Sequence, residues 1–321
     1  MKLFADDNRI GLGGAPLAGL FSPVPDAEAV ATVQAAWDEG WRYFDTAPHY
    51  GLGLAEERLG AGLAGKPRSS YVLSSKVGRI IYEADTAVAD DQGFAVVSKR
   101  RRRWDFSRDG VLQSIEDSLR RLDTDRLDVV FVHDPDDHYD EAVATAFPAL
   151  IELRDQGVIQ AIGSGMNQAA MLTRFVREVD LDVIMLAGRY TVLDPDGLDD
   201  VLPACTENDV QVVAVGVFNS GLLSQARPPA DATFNYAPAP AALIEKANKL
   251  ADVCDAHGVT LPAVALKFPL FHPAVAGIAV GCRTAAEVHA NAELARTAVP
   301  DGVWSDLKSA GLLREDAPTP G

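Results

Sequence analysis

Four side chains have the types and spacing for a proton transfer coupled to hydride transfer: Asp45, Tyr50, Lys76 and His133. Asp45 lies at the end of the apolar run WRYFDTA (41–47), and Tyr50 follows five residues later. Lys76 closes YVLSSK (71–76), and His133 closes LDVVFVH (127–133). A free phenol titrates near pH 10, too high for easy proton exchange at neutral pH. A neighbouring ammonium favours the phenolate and lowers that value. Asp45 would keep Lys76 charged and in place, and His133 could donate a hydrogen bond to a substrate oxygen. Tyr50 could then take a proton from an alcohol while hydride leaves the same carbon.

Each residue also has a bland role. An Asp at a strand end often caps the next loop, a Tyr can be a wall residue, and a lone His at a strand end is often structural. Lys76 is harder to dismiss. A Lys ending an apolar buried strand is costly unless paired, and Asp45 is a natural partner. The four together carry far more than any one of them.

To meet, these residues need neighbouring strands whose ends converge. Eight short runs rich in Val, Ile or aromatics supply candidates: 9–14, 41–47, 71–76, 127–133, 158–165, 181–186, 210–217 and 277–281. Their composition and their Gly, Asp or Pro boundaries predict buried parallel strands. Between them lie helical segments at 26–40, 107–122 and 241–258. The first begins with an acidic cap, and the second spaces Val111, Leu112, Ile115, Leu119 and Leu122 as one apolar face. Strands alternating with helices make either a closed barrel or an open doubly wound sheet. The open sheet should carry a Gly-rich phosphate fingerprint after its first strand. GLGGAP (11–16) matches it only loosely. The expectation is a single (β/α)8 TIM barrel domain over residues 1–321. Long loops at 77–106 and 222–240 would emerge at its C-terminal face, where active sites form. The tail 315–321 reads as mobile.

The chain has 321 residues, 48% hydrophobic and 23% charged, as in ordinary globular proteins. No apolar run is long enough for a membrane span, and the N-terminus lacks an apolar signal core. A cytoplasmic location is expected. The formal charge of −17 makes nucleic acid a poor partner. The run Lys99 to Arg103, followed by Trp104, is the exception, read here as a solvated loop. Three cysteines, none in a CxxC pair, suggest free thiols in a reducing compartment. HDPDDH (133–138) is dense in His and Asp, which raises a metal-dependent barrel hydrolase as a competing class. Its residues run along one loop, with no HxH pair at another strand end, so no metal site is assigned.

FDTAPHYG (44–51), LSSK (73–76) and VVFVHD (129–134) resemble the catalytic motifs of the aldo-keto reductases, in order and over nearly the whole chain. The resemblance implies a (β/α)8 barrel and reversible NAD(P)-linked carbonyl reduction. It implies Asp45, Tyr50, Lys76 and His133 as the catalytic tetrad, with Asp45 also near the cofactor and His49 lining the substrate pocket. VGCRTAAEVHAN (280–291) resembles the family's segment for the adenosine end of the cofactor. There Gly281, Cys282 and Arg283 would approach phosphate and ribose, and Asn291 would contact adenine. NADP-preferring members place cations ten and four residues before that Asn, where this chain has Gly281 and Glu287. A carboxylate repels a 2′-phosphate but can hydrogen-bond a 2′-hydroxyl, so NAD is expected in preference to NADP. The same segment also reads as a helix capped by Thr284, and a helix N-terminus suits phosphate. FNSGLL (218–223) resembles the loop around the pyrophosphate, where Asn219, Ser220, Gly221 and Leu222 would offer amides. At the nicotinamide, GSGMN (163–167) shifts the usual Asn to Asn167, and Phe218 stands in for a stacking Tyr.

GSGMN, LAGRYTVLD, GVFNSGLL and WDFSRDGVLQSIEDSLRRL together look like the bacterial aldose 1-dehydrogenase branch. That branch includes L-fucose and D-threo-aldose dehydrogenases, and pyridoxal 4-dehydrogenase is similar. The implied reaction oxidises a cyclic hemiacetal, an aldose at C1 or pyridoxal, to its lactone. Trp104 would form part of the substrate wall. A non-catalytic barrel that keeps only the cofactor site is the remaining alternative. The sequence does not fix the oligomeric state.

Overall fold

All eight apolar runs are strands in the computed structural model, which describes residues 1–5, 7–235 and 237–320. They are β1 (Ile10–Gly13), β2 (Tyr43–Asp45), β3 (Val72–Val77), β6 (Val129–His133), β7 (Ala161–Met166), β8 (Val183–Ala187), β9 (Gln211–Val215) and β12 (Val275–Gly281). They close in the order β1-β12-β9-β8-β7-β6-β3-β2, and every pairing is parallel. Helices cross over between them, including Asp26–Asp38, Leu54–Leu63 and Arg108–Leu122, and the helix Ala285–Arg296 follows the last strand. The open doubly wound alternative is excluded by this closure. Among the described residues no helix is long and apolar enough to cross a membrane.

Two apolar layers hold the barrel. Side chains facing inward form one cluster: Tyr43, Val129, Phe131, Val183, Met185, Val213 and Ala279. Leu3 and Phe4 join it from the N-terminal segment, and Phe4 stacks on Tyr43 at 4.6 Å. That segment plugs the end of the barrel away from Asp45 and Lys76. Side chains facing outward pack under the helices and form the larger core. This is why the strands read as continuous apolar runs, since both faces are buried.

The register sets the height of the functional residues. Asp45 pairs with Gly13 and Ser74, Lys76 with Phe131, and His133 with Gly165. The C-terminal ends of β1, β2, β3, β6 and β7 are therefore neighbours around one rim.

Several local expectations are corrected. Residues 77–106 are not an irregular loop. They form an antiparallel hairpin of β4 (Arg79–Ala89) and β5 (Val97–Trp104). The basic run lies on β5 rather than in a solvated loop. Cross-strand alternation gives its residues separate partners: Arg100 pairs with Glu57, Arg102 with Asp90, and Arg103 with Asp105. Residues 222–240 contain a minimal hairpin, β10 (Thr233–Phe234) and β11 (Ala237–Pro238). The tail is packed as far as Ala317, which is buried with Leu313 in the main core, while Gly321 lies outside the described residues. Asp26 does not cap its helix with a side-chain bond; Pro25 is the N-cap residue, and Asp26 pairs with Arg58 instead.

Gly163 on β7 shows how tightly the strands approach. A Cβ there would lie 1.8 Å from the carbonyl oxygen of Val183. Gly163→Ala should therefore destabilise the fold by about 3 kcal/mol, the upper part of the overpacking range. The urea unfolding midpoint measures this. A loss under about 1 kcal/mol would show that β7 and β8 can separate without cost.

Candidate active site

The rim brings all four sequence-predicted residues together. Lys76 Nζ donates to Asp45 Oδ2 at 2.7 Å and to the Thr46 carbonyl at 2.9 Å. Both side chains are almost fully buried, at 1% and 4% exposure, so the ammonium has no bulk water to fall back on. Ser74 Oγ donates to the other carboxylate oxygen of Asp45 at 2.8 Å and lies 3.0 Å from the Tyr43 hydroxyl. Lys76 Nζ also sits 4.6 Å from the centre of the Tyr50 ring. His133 approaches that ring edge-on at 5.6 Å. Tyr50 reaches this point because residues 48–53 form a tight turn after β2, with Gly51, Leu52 and Gly53 all at positive φ. At Gly51 a Cβ would lie 2.6 Å from that of Ala18, so this position requires glycine twice over.

Burial sets the charge states. The Asp45 carboxyl is pushed up by burial, a shift opposed by Lys76 and Ser74. Tyr43 is held well above an ordinary phenol by burial and by Asp45 beneath it, which keeps its proton in place. The His133 imidazole is driven well below its usual value by burial, then by the charges of Arg79 and Lys76. His49, 5.5 Å from His133, is pushed down to about 2 by burial, with Arg79, Arg102 and Lys76 adding to the effect. Both imidazoles are neutral at physiological pH, so His133 can donate one N–H without carrying a charge. A phenol beside a lysine held by a carboxylate, with a neutral imidazole opposite, can exchange a proton with an alcohol or carbonyl oxygen.

The structure adds residues that sequence reasoning left out. Arg79, three positions after Lys76, points a mostly buried guanidinium at the same rim and pairs with Asp134 at 3.0 Å. Its burial lowers its pKa, with Asp134 opposing. The only hint in the sequence was a charged residue directly beyond a buried strand. Phe94, in the hairpin tip, packs 5.5 Å from His49 and 6.0 Å from Tyr50. Main-chain bonds fasten this tip to the loop after β1: Phe21 N to Gly93 O at 3.0 Å, and Ala95 N to Gly19 O at 2.9 Å. Trp104 lies beside Arg79 and stacks on Phe106 at 5.5 Å. Among the described residues no group of three or more His, Cys, Asp or Glu could hold a metal ion. In HDPDDH, Asp134 goes to Arg79 and His138 packs against Trp104.

The segments read as cofactor contacts lie around the same rim. Gly281 ends β12 opposite Gly13, and Cys282 is buried, accepting from Asn291 Nδ2 at 3.3 Å. Burial pushes the Cys282 thiol up to about 12, so it stays protonated. Thr284 caps the helix Ala285–Arg296, accepting from Glu287 N at 3.2 Å. Glu287 accepts from Arg283 N at 2.8 Å and pairs with the Arg283 guanidinium at 3.3 Å. Asn167 donates to the Ala187 carbonyl at 3.1 Å. Asn219 is buried, accepting from Thr191 at 2.7 Å and donating to Gly188 O at 3.2 Å. Asn219, Ser220 and Gly221 all have positive φ. The amides of Asn219, Gly221 and Leu222 donate inside this turn, to Gly216, Phe218 and Asn219. Leu222 is buried and Phe218 packs against the core. Those three amides are therefore already engaged within the turn, and a pyrophosphate there would have to compete for them. Gly165 faces Lys76 with room for no more than a Cβ, 3.8 Å from Lys76 Cε. The Thr284-capped N-terminus of the helix Ala285–Arg296 suits an anion, while the Arg283 guanidinium is already paired with Glu287.

Comparison with known proteins agrees with this geometry. The model of the Aldo/keto reductase family matches residues 9–311. A D-threo-aldose 1-dehydrogenase of a Pseudomonas species is 45% identical over 97% of this chain and 95% of its own length. A pyridoxal 4-dehydrogenase of Microbacterium luteolum is 38% identical, over 95% of this chain and 94% of its own. Among solved structures, a glycerol dehydrogenase from Gluconobacter oxydans superposes with a TM-score of 0.75 at 25% identity, covering 98% of this chain and 94% of that one. The holo form of an aldo-keto reductase from Bacillus halodurans gives 0.72 at 25% identity, covering 98% and 96%.

The depressed imidazoles make a pH prediction. A histidine whose folded pKa lies below its unfolded value binds fewer protons when native. Stability therefore falls as pH drops below about 6.5, by up to about 1.4 kcal/mol per pH unit for each such group. For His49 that loss extends down towards pH 2. His49→Gln should flatten the fall in urea-derived stability between pH 6 and 4.5 by about that slope. An unchanged slope would mean that His49 is charged in the native protein.

Proposed function

The chain belongs to the aldo/keto reductase family of NAD(P)-dependent oxidoreductases, and from that premise we propose that it oxidises a cyclic hemiacetal to its lactone with Tyr50 as the acid/base. The substrate is an aldose such as L-fucose or a D-threo-aldose, oxidised at C1. The observation that carries this reading is Lys76 Nζ, locked by Asp45 at 2.7 Å and placed 4.6 Å from the Tyr50 ring centre. The nicotinamide, when bound, supplies the acceptor for the hydride. His133 holds the anomeric oxygen through a neutral N–H. Tyr50 takes the proton from that oxygen as the C1–H bond breaks and the C1=O bond forms. Lys76 stabilises the phenolate beforehand, and Asp45 keeps Lys76 from swinging away. In the reverse direction Tyr50 returns the proton to the carbonyl oxygen.

A second substrate reading, pyridoxal to 4-pyridoxolactone, is supported by the relative of that name. Both substrates are cyclic hemiacetals, and the same proton and hydride movements serve each. At the other end of the site, Glu287 supports NAD over NADP in two ways. The family resemblance would set its carboxylate near a 2′-phosphate, and it pairs with the Arg283 guanidinium that could otherwise receive that phosphate. Three free buried thiols, Cys205, Cys254 and Cys282, support a reducing, cytoplasmic setting.

Reduction of NAD and NADP, followed spectrophotometrically with L-fucose, D-arabinose, L-xylose, L-galactose and pyridoxal, tests the substrate class directly. Tyr50→Phe should lower kcat on the best substrate by about 10²- to 10⁴-fold while cofactor affinity changes little. Near-native turnover in that variant would exclude the role given to Tyr50. Glu287→Ala should raise the NADP to NAD ratio of kcat/KM about fivefold, the effect of removing one half-exposed like charge. An unchanged ratio would remove Glu287 from cofactor selection.

A further inference from the structure

Beyond the four central residues, the rim holds two arginines whose donors the protein does not use up. Arg79 gives one N–H to Asp134 and lies 4.0 Å from the centre of the Trp104 ring. Its Nη1 is buried and has no hydrogen-bond partner among the described residues. Arg102 pairs with Asp90, yet its Nε and Nη1 are also buried without partners. His49 Nδ1 is in the same condition. Buried donors of this kind are rare in folded proteins, and leaving them unmet is costly.

The hairpin places these groups together. Arg79 pairs with Trp104 and Ile81 with Arg102, so alternation puts Arg79, Ile81, Arg102 and Trp104 on one face of the ribbon. Asp134 Oδ2, the partner of Arg79, lies 3.5 Å from His133 Nε2, and His49 packs 5.5 Å from His133. The unmet donors therefore border the reaction centre. What meets them must present acceptor oxygens. It need not bring charge, because each guanidinium already has its own carboxylate, Asp134 or Asp90. Asp134, about one-third exposed, can accept in return. A hydroxyl is a neutral group that both accepts and donates through a single oxygen.

We propose that Arg79 and Arg102, with His49 between them and the reaction centre, form a subsite for the secondary hydroxyls of a neutral polyhydroxylated substrate whose reacting carbon lies at Tyr50. Trp104 acts through Arg79, holding its guanidinium flat. This rests on the hemiacetal reading above and narrows it, favouring a free aldose over pyridoxal or a phosphorylated sugar.

The test uses the NAD-loaded protein and two charge-preserving variants, Arg79→Lys and Arg102→Lys, which keep an ion pair but lose the forked donors. Calorimetry with a 1,5-anhydroalditol, which has ring hydroxyls but no oxidisable anomeric centre, reads the subsite without turnover. The expected result is a Kd weakened about tenfold or more in each variant. In kinetics, the ratio of kcat/KM for an aldopyranose to that for a short aliphatic aldehyde should fall by a similar factor. Binding within twofold of wild type in both variants would overturn the subsite, its donors then being met by water. So would an equal loss on both substrates, which marks a purely structural role. Equal or better kcat/KM on the phosphorylated aldose would overturn the preference for a neutral ligand. If Arg102→Lys fails to fold, Arg79→Lys alone decides. Arginine-dependent binding of the anhydroalditol without turnover of any aldose would sink the function and keep the subsite. Aldose turnover indifferent to both variants would do the reverse.

Discussion

The site depends on one buried ion pair. Lys76 and Asp45 face each other at 2.7 Å where neither has appreciable contact with solvent. Such a pair rarely adds to stability, because the desolvation of two charges offsets most of their attraction. Its cost is met by extra hydrogen bonds, from Lys76 to the Thr46 carbonyl and from Ser74 to Asp45. What the arrangement achieves is placement. The ammonium is held 4.6 Å from the centre of the Tyr50 ring, where the proposed proton transfer needs it. Breaking either partner would leave the other charge stranded.

The barrel makes that placement possible, and the hairpin encloses it. Parallel strands in register bring Asp45, Lys76 and His133 to one height. The tip carrying Phe94 reaches across to the loop after β1 and lies against Tyr50 and His49. Burial comes first for both imidazoles; the charges of Arg79 and Lys76 then lower both, and that of Arg102 lowers His49. A site kept dry in this way strengthens each electrostatic contact inside it. The basic run of β5 thus braces the hairpin, with Arg100, Arg102 and Arg103 in ion pairs and Arg101 on backbone carbonyls.

The adenosine end follows different physics. There the helix Ala285–Arg296 starts at a Thr cap beside the end of β12, and Glu287 binds both the Arg283 amide and its side chain. A cation that is already neutralised cannot discriminate strongly for a phosphate. In the reading proposed above, cofactor choice at this end rests on local charge pairing, and the proton transfer at the other end rests on burial.

The sequence by itself determined the eight strands, the barrel and the four central residues, because these rest on patterns that are local: apolar runs buried on both faces, and polar residues at their ends. Lys76 stood out for the same reason, as a charge with nowhere cheap to go. Residues 77–106 were legible only as an interruption. Their strands are largely exposed, β5 carries four consecutive arginines and β4 mixes apolar and polar residues, so no apolar period marks them. The packed tail was missed because Leu313 and Ala317 are single apolar residues in a polar stretch. Only the tertiary structure decided which arginines face the site. Cross-strand pairing puts Arg79 and Arg102 on one face although they are far apart in sequence, and no short-range pattern encodes a register between strands. Likewise the charge states of His49 and His133 depend on burial and on neighbours brought from other elements, which is a property of the assembled rim and not of the chain.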